Sequence, residues 1–74
     1  MDGKAEAVEF VAGEELPFLN IALKDLRLKR EILIAGIIRD RKPIIPAGND
    51  FIQAGDRVVV IAANQRLQDL AEIV

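Results

Sequence analysis

The sequence predicts one small α+β domain, in which a mostly antiparallel sheet packs against two short helices in the order β-α-β-β-β-α. Two apolar runs without polar alternation, residues 32–38 and 58–63, are typical of strands. Two other stretches place apolar side chains three or four residues apart, as amphipathic helices do. The length of 74 residues is enough for one domain only.

The N-terminal third predicts a strand followed by a short helix. Residues 5–12 combine apolar side chains with two glutamates, a pattern typical of a strand with one polar edge. Gly13 and Pro17 then interrupt regular structure. Beyond them, leucines recur at helical spacing and Asn20 is a suitable N-cap, so we expect a helix over residues 20–26.

The central part predicts a buried strand, a charged turn and an edge strand. Residues 32–38 carry no polar side chain, so we expect a central strand that is covered on both faces. Gly36 inside this run predicts a bulge or a close approach of another backbone. After the turn at residues 40–42, residues 43–46 include two prolines, which cannot donate to a ladder and therefore predict a short edge element.

The C-terminal part predicts two turns, a second strand and a final helix. The turns are at residues 48–50 and 54–56, where glycine, asparagine and aspartate cluster. Residues 57–62 are rich in β-branched side chains, which suit a pleated sheet. From Asn64 onward, apolar residues at intervals of three or four predict a terminal amphipathic helix.

The composition indicates association with a second copy. A chain of this size buries only about 60% of the surface that its unfolded form exposes. With no cysteine, no disulfide can add stability, yet hydrophobic residues make up 51% of the chain. We therefore expect a homodimer or a domain cut from a longer polypeptide.

The residue types leave little for catalysis. The chain has no His, Cys or Tyr, and Ser and Thr are absent too, so the usual nucleophiles and the commonest general base are missing. Carboxylate or lysine chemistry survives in principle, but adjacent residues such as Lys24 and Asp25 do not face each other on a helix. We predict that the chain is not an enzyme and has no catalytic residue.

Two aspartates in the predicted turns raise the question of a metal site. An oxygen cage for a divalent ion needs several convergent ligands, whereas Asp50 and Asp56 belong to separate turns. Aspartates in turns commonly accept hydrogen bonds from nearby backbone amides. We therefore predict turn stabilisation for both residues and no metal site.

Charge is spread unevenly along the chain. A net charge of -2 argues against a general nucleic-acid binder. Residues 24–42 nevertheless contain seven basic side chains and only three acidic ones. Such a segment can attract an anionic ligand, although basic side chains at the ends of strands and helices are often simply solvated.

The central and C-terminal runs resemble a known family. Residues 34–39 and 45–60, with a Pro-x-Gly-x-Asp turn followed by Gly-Asp-Arg-Val, resemble the signature of TrkA-C domains, also known as RCK_C domains. These are the C-terminal ligand-sensing domains of regulators of potassium conductance. Residues 19–26 are similar to the short helix of the family, so the resemblance covers nearly the whole chain.

The resemblance implies that residues 1–74 are one TrkA-C domain, excised from a longer protein, that pairs with a copy of itself. Members usually follow a nucleotide-binding Rossmann domain in a cytoplasmic ring attached to a potassium channel or transporter. The implied function is a ligand-sensing regulator of potassium or other cation transport, in the cytoplasm at the inner face of the membrane. The alternative is a passive dimerisation module.

The resemblance also bears on ligands. The chain has no Gly-x-Gly-x-x-Gly, so we expect no NAD or ATP cofactor bound in the Rossmann manner. Some relatives bind metal ions and some bind cyclic di-AMP. The latter bind it near an Arg-x-x-x-Gly-x-Asn-Ile run, and in this chain Leu33 stands at the position of the Asn. This departure counts against cyclic di-AMP, and Lys29, Arg30 and Arg39 are the candidate contacts for a small anionic ligand such as a nucleotide, because phosphates require only charge and donors.

Overall fold

A computed structural model describes residues 3–74, so the first two residues of the predicted domain lie outside the described part. The described chain forms four strands and two short 3₁₀ helices. The strands are β1 (Ala5–Val11), β2 (Ile32–Arg39), β3 (Lys42–Ile44) and β4 (Arg57–Ala63). One 3₁₀ helix covers Leu23–Asp25 and the other covers Leu70–Ile73. Within residues 3–74, neither helix has the length and apolar character of a membrane span.

The four strands form one antiparallel sheet in the order β1-β4-β2-β3. The predicted central position of β2 is confirmed, because the strand lies between β4 and β3. The prediction that the proline-containing segment forms a short edge element is confirmed too. Asp40 and Arg41 join β2 to β3 with φ values of 52° and 67°, as a two-residue type I′ hairpin turn requires.

The bulge predicted at Gly36 is present in β2. Ile34 lies opposite Val60 and Gly36 lies opposite Val59, so that Ala35 is the extra residue. Side chains alternate between the two faces of a strand, and an inserted residue shifts this alternation. The bulge therefore allows Ile34 and Ile37, three positions apart, to face the same core.

The hydrophobic core lies on one face of the sheet. Alternate residues of β4 face this core together with the two isoleucines of β2. The loops and the C-terminal segment cover that face. The buried apolar residues are Ala12, Leu16, Phe18, Ile34, Ile37, Ile52, Val58, Val60, Ala62, Leu67, Leu70 and Ile73.

The opposite face of the sheet is open, which makes the prediction that β2 is covered on both faces wrong for the described residues. Leu33 is 58% exposed and Val11 is 66% exposed, and both lie on this face with the odd-numbered residues of β4. The buried apolar side chains of the connecting segments belong to the core face. Leu33 therefore remains accessible, although it belongs to the apolar run that predicted a buried strand.

The first predicted helix is reduced to a single 3₁₀ turn. Asn20 has φ 63° and is not an N-cap, and Ala22 precedes the 3₁₀ helix without a side-chain cap. The amides of this segment bond sideways to the following loop: Leu23 N–H donates to the Asp50 carbonyl at 2.8 Å. Because those amides are used between segments, a regular α-helix does not form.

The terminal helix is also shorter than predicted. Asn64 has φ 59° and donates its N–H to the Lys4 carbonyl, which fixes it as a turn residue. The helix begins only after Asp69, whose side chain forms a capping box with Glu72. A helix of four residues is far below the length at which helices are stable alone, so packing of its buried side chains sustains it.

Candidate functional site

The three predicted ligand contacts lie at opposite ends of β2. Lys29 and Arg30 come just before the strand, and Arg39 is its last residue. At about 3.3 Å per residue, the strand separates the two groups by roughly 25 Å. Within one copy of the chain, a nucleotide-sized ligand cannot contact both groups.

Backbone contacts hold the strand-start end, defined here as residues 29–31 with the segment 64–66 beside them. Lys29 N–H donates to the Ile73 carbonyl at 2.8 Å. The Arg30 carbonyl accepts from Gln65 Nε2, also at 2.8 Å. The side chains of Lys29 and Arg30 are exposed, and neither takes part in the two ion pairs of the described residues. Their charges are therefore available to a ligand.

A polar depression of about 660 Å³ adjoins the strand-start end. Its lining residues are Lys4, Ala5, Glu6, Asn64, Gln65 and Arg66. Gln65 links it to the basic segment, because the same amide that lines the depression bonds the Arg30 carbonyl. Sequence reasoning missed this grouping since Lys4 and Asn64, which bond each other, are 60 positions apart.

Arg39 is held in a bidentate ion pair with Asp56. Its Nε and Nη2 donate to the two carboxylate oxygens at 3.0 Å and 2.8 Å, and Asp56 is only 2% exposed. Nη2 also donates to the Phe51 carbonyl at 2.8 Å, and the guanidinium lies 5.6 Å from the centroid of that ring. Arg39 thus connects the end of β2 to the start of β4 and to the loop before it.

The ion pair shifts the pKa values of both partners. Burial raises the pKa of Asp56, but hydrogen bonds from Arg39 and the Gln53 amide, together with the Arg39 charge, bring the net pKa below its ordinary value. The hydrogen bond to Asp56 raises the pKa of Arg39 against the effect of burial. Both groups are therefore charged at neutral pH, and the first role of Arg39 is structural.

The predicted turn contacts of the two aspartates are confirmed. The Ala47 amide donates to Asp50 Oδ2 at 2.6 Å, and the Gln53 amide donates to Asp56 Oδ2 at 2.8 Å. In residues 3–74 no three His, Cys, Asp or Glu side chains are grouped so that they could hold a metal ion. Asp56 is the buried charged side chain of the described part, and its carboxylate is fully engaged. At the strand-start end, the exposed charges of Lys29 and Arg30 suit the binding of an anion.

The comparisons with known proteins agree with this geometry. A family model described as the TrkA-C domain matches residues 7–74. The Trk system potassium uptake protein trkA homolog 1 of Methanosarcina mazei is 29% identical over 72 residues, which are 97% of this chain and 18% of that protein. The TrkA homolog of Archaeoglobus fulgidus is 32% identical over 71 residues, 96% of this chain and 16% of that protein.

A solved structure described as "Structure of RCK domain with cda" has a TM-score of 0.66 and 27% identity. The alignment covers 78% of this chain and 81% of that one. The chain spans less than a fifth of the two uptake proteins, at 18% and 16% of their lengths, so the likeness concerns one domain of each. The resemblance seen in the sequence is confirmed, and the chain belongs to the TrkA-C domain family.

Proposed function

We propose that this chain is the ligand-sensing regulatory domain of a potassium transport system. In this role it acts in the cytoplasm through a homodimer and modulates a membrane channel or transporter. The observation that carries the proposal is the likeness to a Trk potassium uptake protein over 97% of the chain. The exposed charges of Lys29 and Arg30 support the proposal as well, because they suit the binding of an anion. Sensing then requires only that the affinity for the ligand differs between two states of the protein.

The first half of β2 supports the homodimer. β3 pairs only with the last three residues of β2, so residues 32–35 have no strand on their outer side in the described part of the chain. The Ala63 amide bonds the Glu31 carbonyl, and antiparallel pairing alternates along a strand. Ile32 and Ile34 therefore point their peptide groups away from β4, toward this open edge.

A second copy that pairs antiparallel about Leu33 satisfies these groups. In that arrangement Ile32 bonds to Ile34 of the partner subunit, and the two Leu33 side chains meet on the open face of the sheet. Leu33 is 58% exposed in the single chain, and residues 32–38 bring no charge to the contact. The pairing therefore buries apolar surface without placing like charges together.

The proposed ligand is a small anion such as a nucleotide, bound at the strand-start end by Lys29 and Arg30. The depression adjoins these residues, and its lining of Lys4 and Arg66 against Glu6 adds a net charge of one positive unit, two minus one. In a dimer that pairs about Leu33, each Arg30 lies three positions from the two-fold axis, so the two copies are separated by roughly 20 Å along the strands. An anion that binds the dimer more tightly than the single chain favours the dimer, which couples binding to assembly.

Arg39 enters the proposal as a separate contact. It can meet a ligand only through the 27% of its side chain that is exposed, in addition to its pair with Asp56. The likeness to an RCK domain whose structure is described with cda supports a ligand for this fold.

Titration of the domain with a panel of nucleotides and divalent ions tests the proposal by thermal shift and sedimentation. A ligand at about 100 times its Kd stabilises the folded state by about 2.7 kcal/mol. For a domain of this size the shift in Tm is on the order of 10 °C. A dimer that responds to a nucleotide supports sensing, and a dimer that responds to nothing in the panel supports the passive module. A monomer at all concentrations contradicts the homodimer.

A further inference from the structure

β1 forms an unpaired edge of the sheet. All seven of its residues, Ala5–Val11, pair with β4, and no strand lies on its other side in residues 3–74. Exposed edges are often protected by prolines, bulges or charged side chains. The sequence AEAVEFV has no proline and no lysine, its pairing with β4 is regular from end to end, and its charged side chains are the glutamates Glu6 and Glu9, which repel an acidic strand but not a basic one. The edge is therefore able to accept another strand.

Hydrogen bonds at both ends of β1 fix which peptide groups face outward. The Asn64 amide donates to the Lys4 carbonyl at 2.6 Å, and the Ala12 amide donates to the Asp56 carbonyl at 2.8 Å. The even-numbered residues thus bond to β4, and the odd-numbered ones point away from it, because antiparallel bonding alternates. The outward peptide groups are those of Ala5, Ala7, Glu9 and Val11.

The charges along this edge are acidic. Four carboxylates lie in β1 or within four residues after it, against a single ammonium group at Lys4. These carboxylates belong to Glu6, Glu9, Glu14 and Glu15. Of these four carboxylates, only Glu9 forms an ion pair in the described part of the chain, a 3.7 Å contact with Arg57 that is exposed on both sides.

We propose that the outer edge of β1 binds an extended basic segment of a partner protein by strand addition. The added strand bonds the four outward peptide groups. Side chains of the added strand alternate between the two faces as those of β1 do, so its Lys or Arg side chains lie on the face of Glu9, and the positive charge of the segment complements the acidic edge. A second copy of this chain fits less well, because its β1 carries the same negative charges. The site is independent of the proposed dimer contact along residues 32–34 of β2, because that contact lies toward the opposite edge of the sheet.

The test uses a synthetic peptide of alternating lysine and valine, with a peptide of alternating glutamate and valine as its control. Binding is followed by NMR shifts and by amide hydrogen exchange of the whole chain. The lysine peptide is expected to slow exchange of the outward amides of Ala5, Ala7, Glu9 and Val11 by about tenfold or more. The glutamate peptide is expected to leave them unchanged.

Ala7→Pro removes one outward N–H and places a ring at the edge. The Ala7 amide is outside the β1–β4 ladder, so the sheet tolerates the change, and intact exchange protection of β4 verifies the fold. The variant is expected to weaken peptide binding roughly tenfold or more, while Ala7→Val binds like the parent chain. If Ala7→Pro does not fold, a lysine peptide N-methylated on its bonding edge replaces it and is expected not to bind.

Several results overturn the inference. These are equal binding of the lysine peptide to Ala7→Pro and the parent, equal binding of its N-methylated form, or shifts confined to residues outside β1. Protection of the outward amides without any peptide, increasing with protein concentration, instead assigns the edge to self-association.

Discussion

Removal of the Arg39 guanidinium tests whether its pair with Asp56 holds the domain together. Arg39→Met keeps the aliphatic volume but leaves Asp56, which is 2% exposed, without its cation. Breaking a buried pair by removing one partner costs about 3 to 5 kcal/mol. Because 27% of the Arg39 side chain is exposed, we expect the lower end, about 3 kcal/mol. A domain of this size has a total stability of only about 4 to 11 kcal/mol.

The matched control is Arg57→Met. Arg57 also pairs with a carboxylate, but at 3.7 Å and with side chains that are 62% and 46% exposed. Such surface pairs contribute about 0 to 1 kcal/mol. Urea denaturation of both variants at one protein concentration measures the difference. Equal losses of unfolding free energy in the two variants would falsify the structural role given to Arg39.

The pH dependence supplies a second readout. The folded-state pKa of Asp56 is lowered, so its charge contributes stability above the unfolded value of about 3.9. This contribution is lost as the pH falls through the folded pKa. In Arg39→Met, burial without a cation raises the pKa of Asp56, so protonation favours the folded variant. The stability gap between parent and variant is therefore expected to narrow on acidification, and a constant gap from neutral to acid pH contradicts this account.

Three further sets of variants test the dimer contact, the basic segment and the turn at Gly55. Leu33→Lys is expected to raise the dimer Kd by about 100-fold or more, since it removes apolar burial and opposes two ammonium groups, while Val11→Lys on the same face leaves sedimentation unchanged. Replacement of Lys29 and Arg30 by Gln is expected to weaken nucleotide binding about tenfold and to reduce its salt dependence; unchanged titrations would remove them from the site. Gly55 has φ 90°, so Gly55→Ala is expected to cost about 1 to 2 kcal/mol in denaturation, and no loss would mean that the turn relaxes.

Strand positions and turns were predictable because their causes are local. β-Branched runs, prolines and Gly36 specify where strands lie, end and bulge, whichever neighbour they meet. Aspartates in turns bond amides three positions away, as at Asp50 and Asp56. The helix predictions were wrong because the spacing of leucines indicates which side chains are buried but not which partners the backbone amides find. The amides near Leu23 bond to a distant loop.

The candidate site was also predictable only in part. The sequence identified the basic segment, because charge density is visible in composition, but it grouped Arg39 with Lys29 and Arg30. Asp56, which binds Arg39, lies 17 positions away, and the depression beside Arg30 is lined by residues 4–6 together with residues 64–66.

By itself, the sequence determined the family, the strands, the turn chemistry and the presence of excess positive charge in residues 24–42. Only the tertiary structure decided which face of the sheet stays open, which strand edges lack a neighbour and which arginine is committed to an ion pair. These features depend on contacts between distant segments, and a local pattern of apolar and charged residues does not specify the partner that each backbone or side-chain group will find.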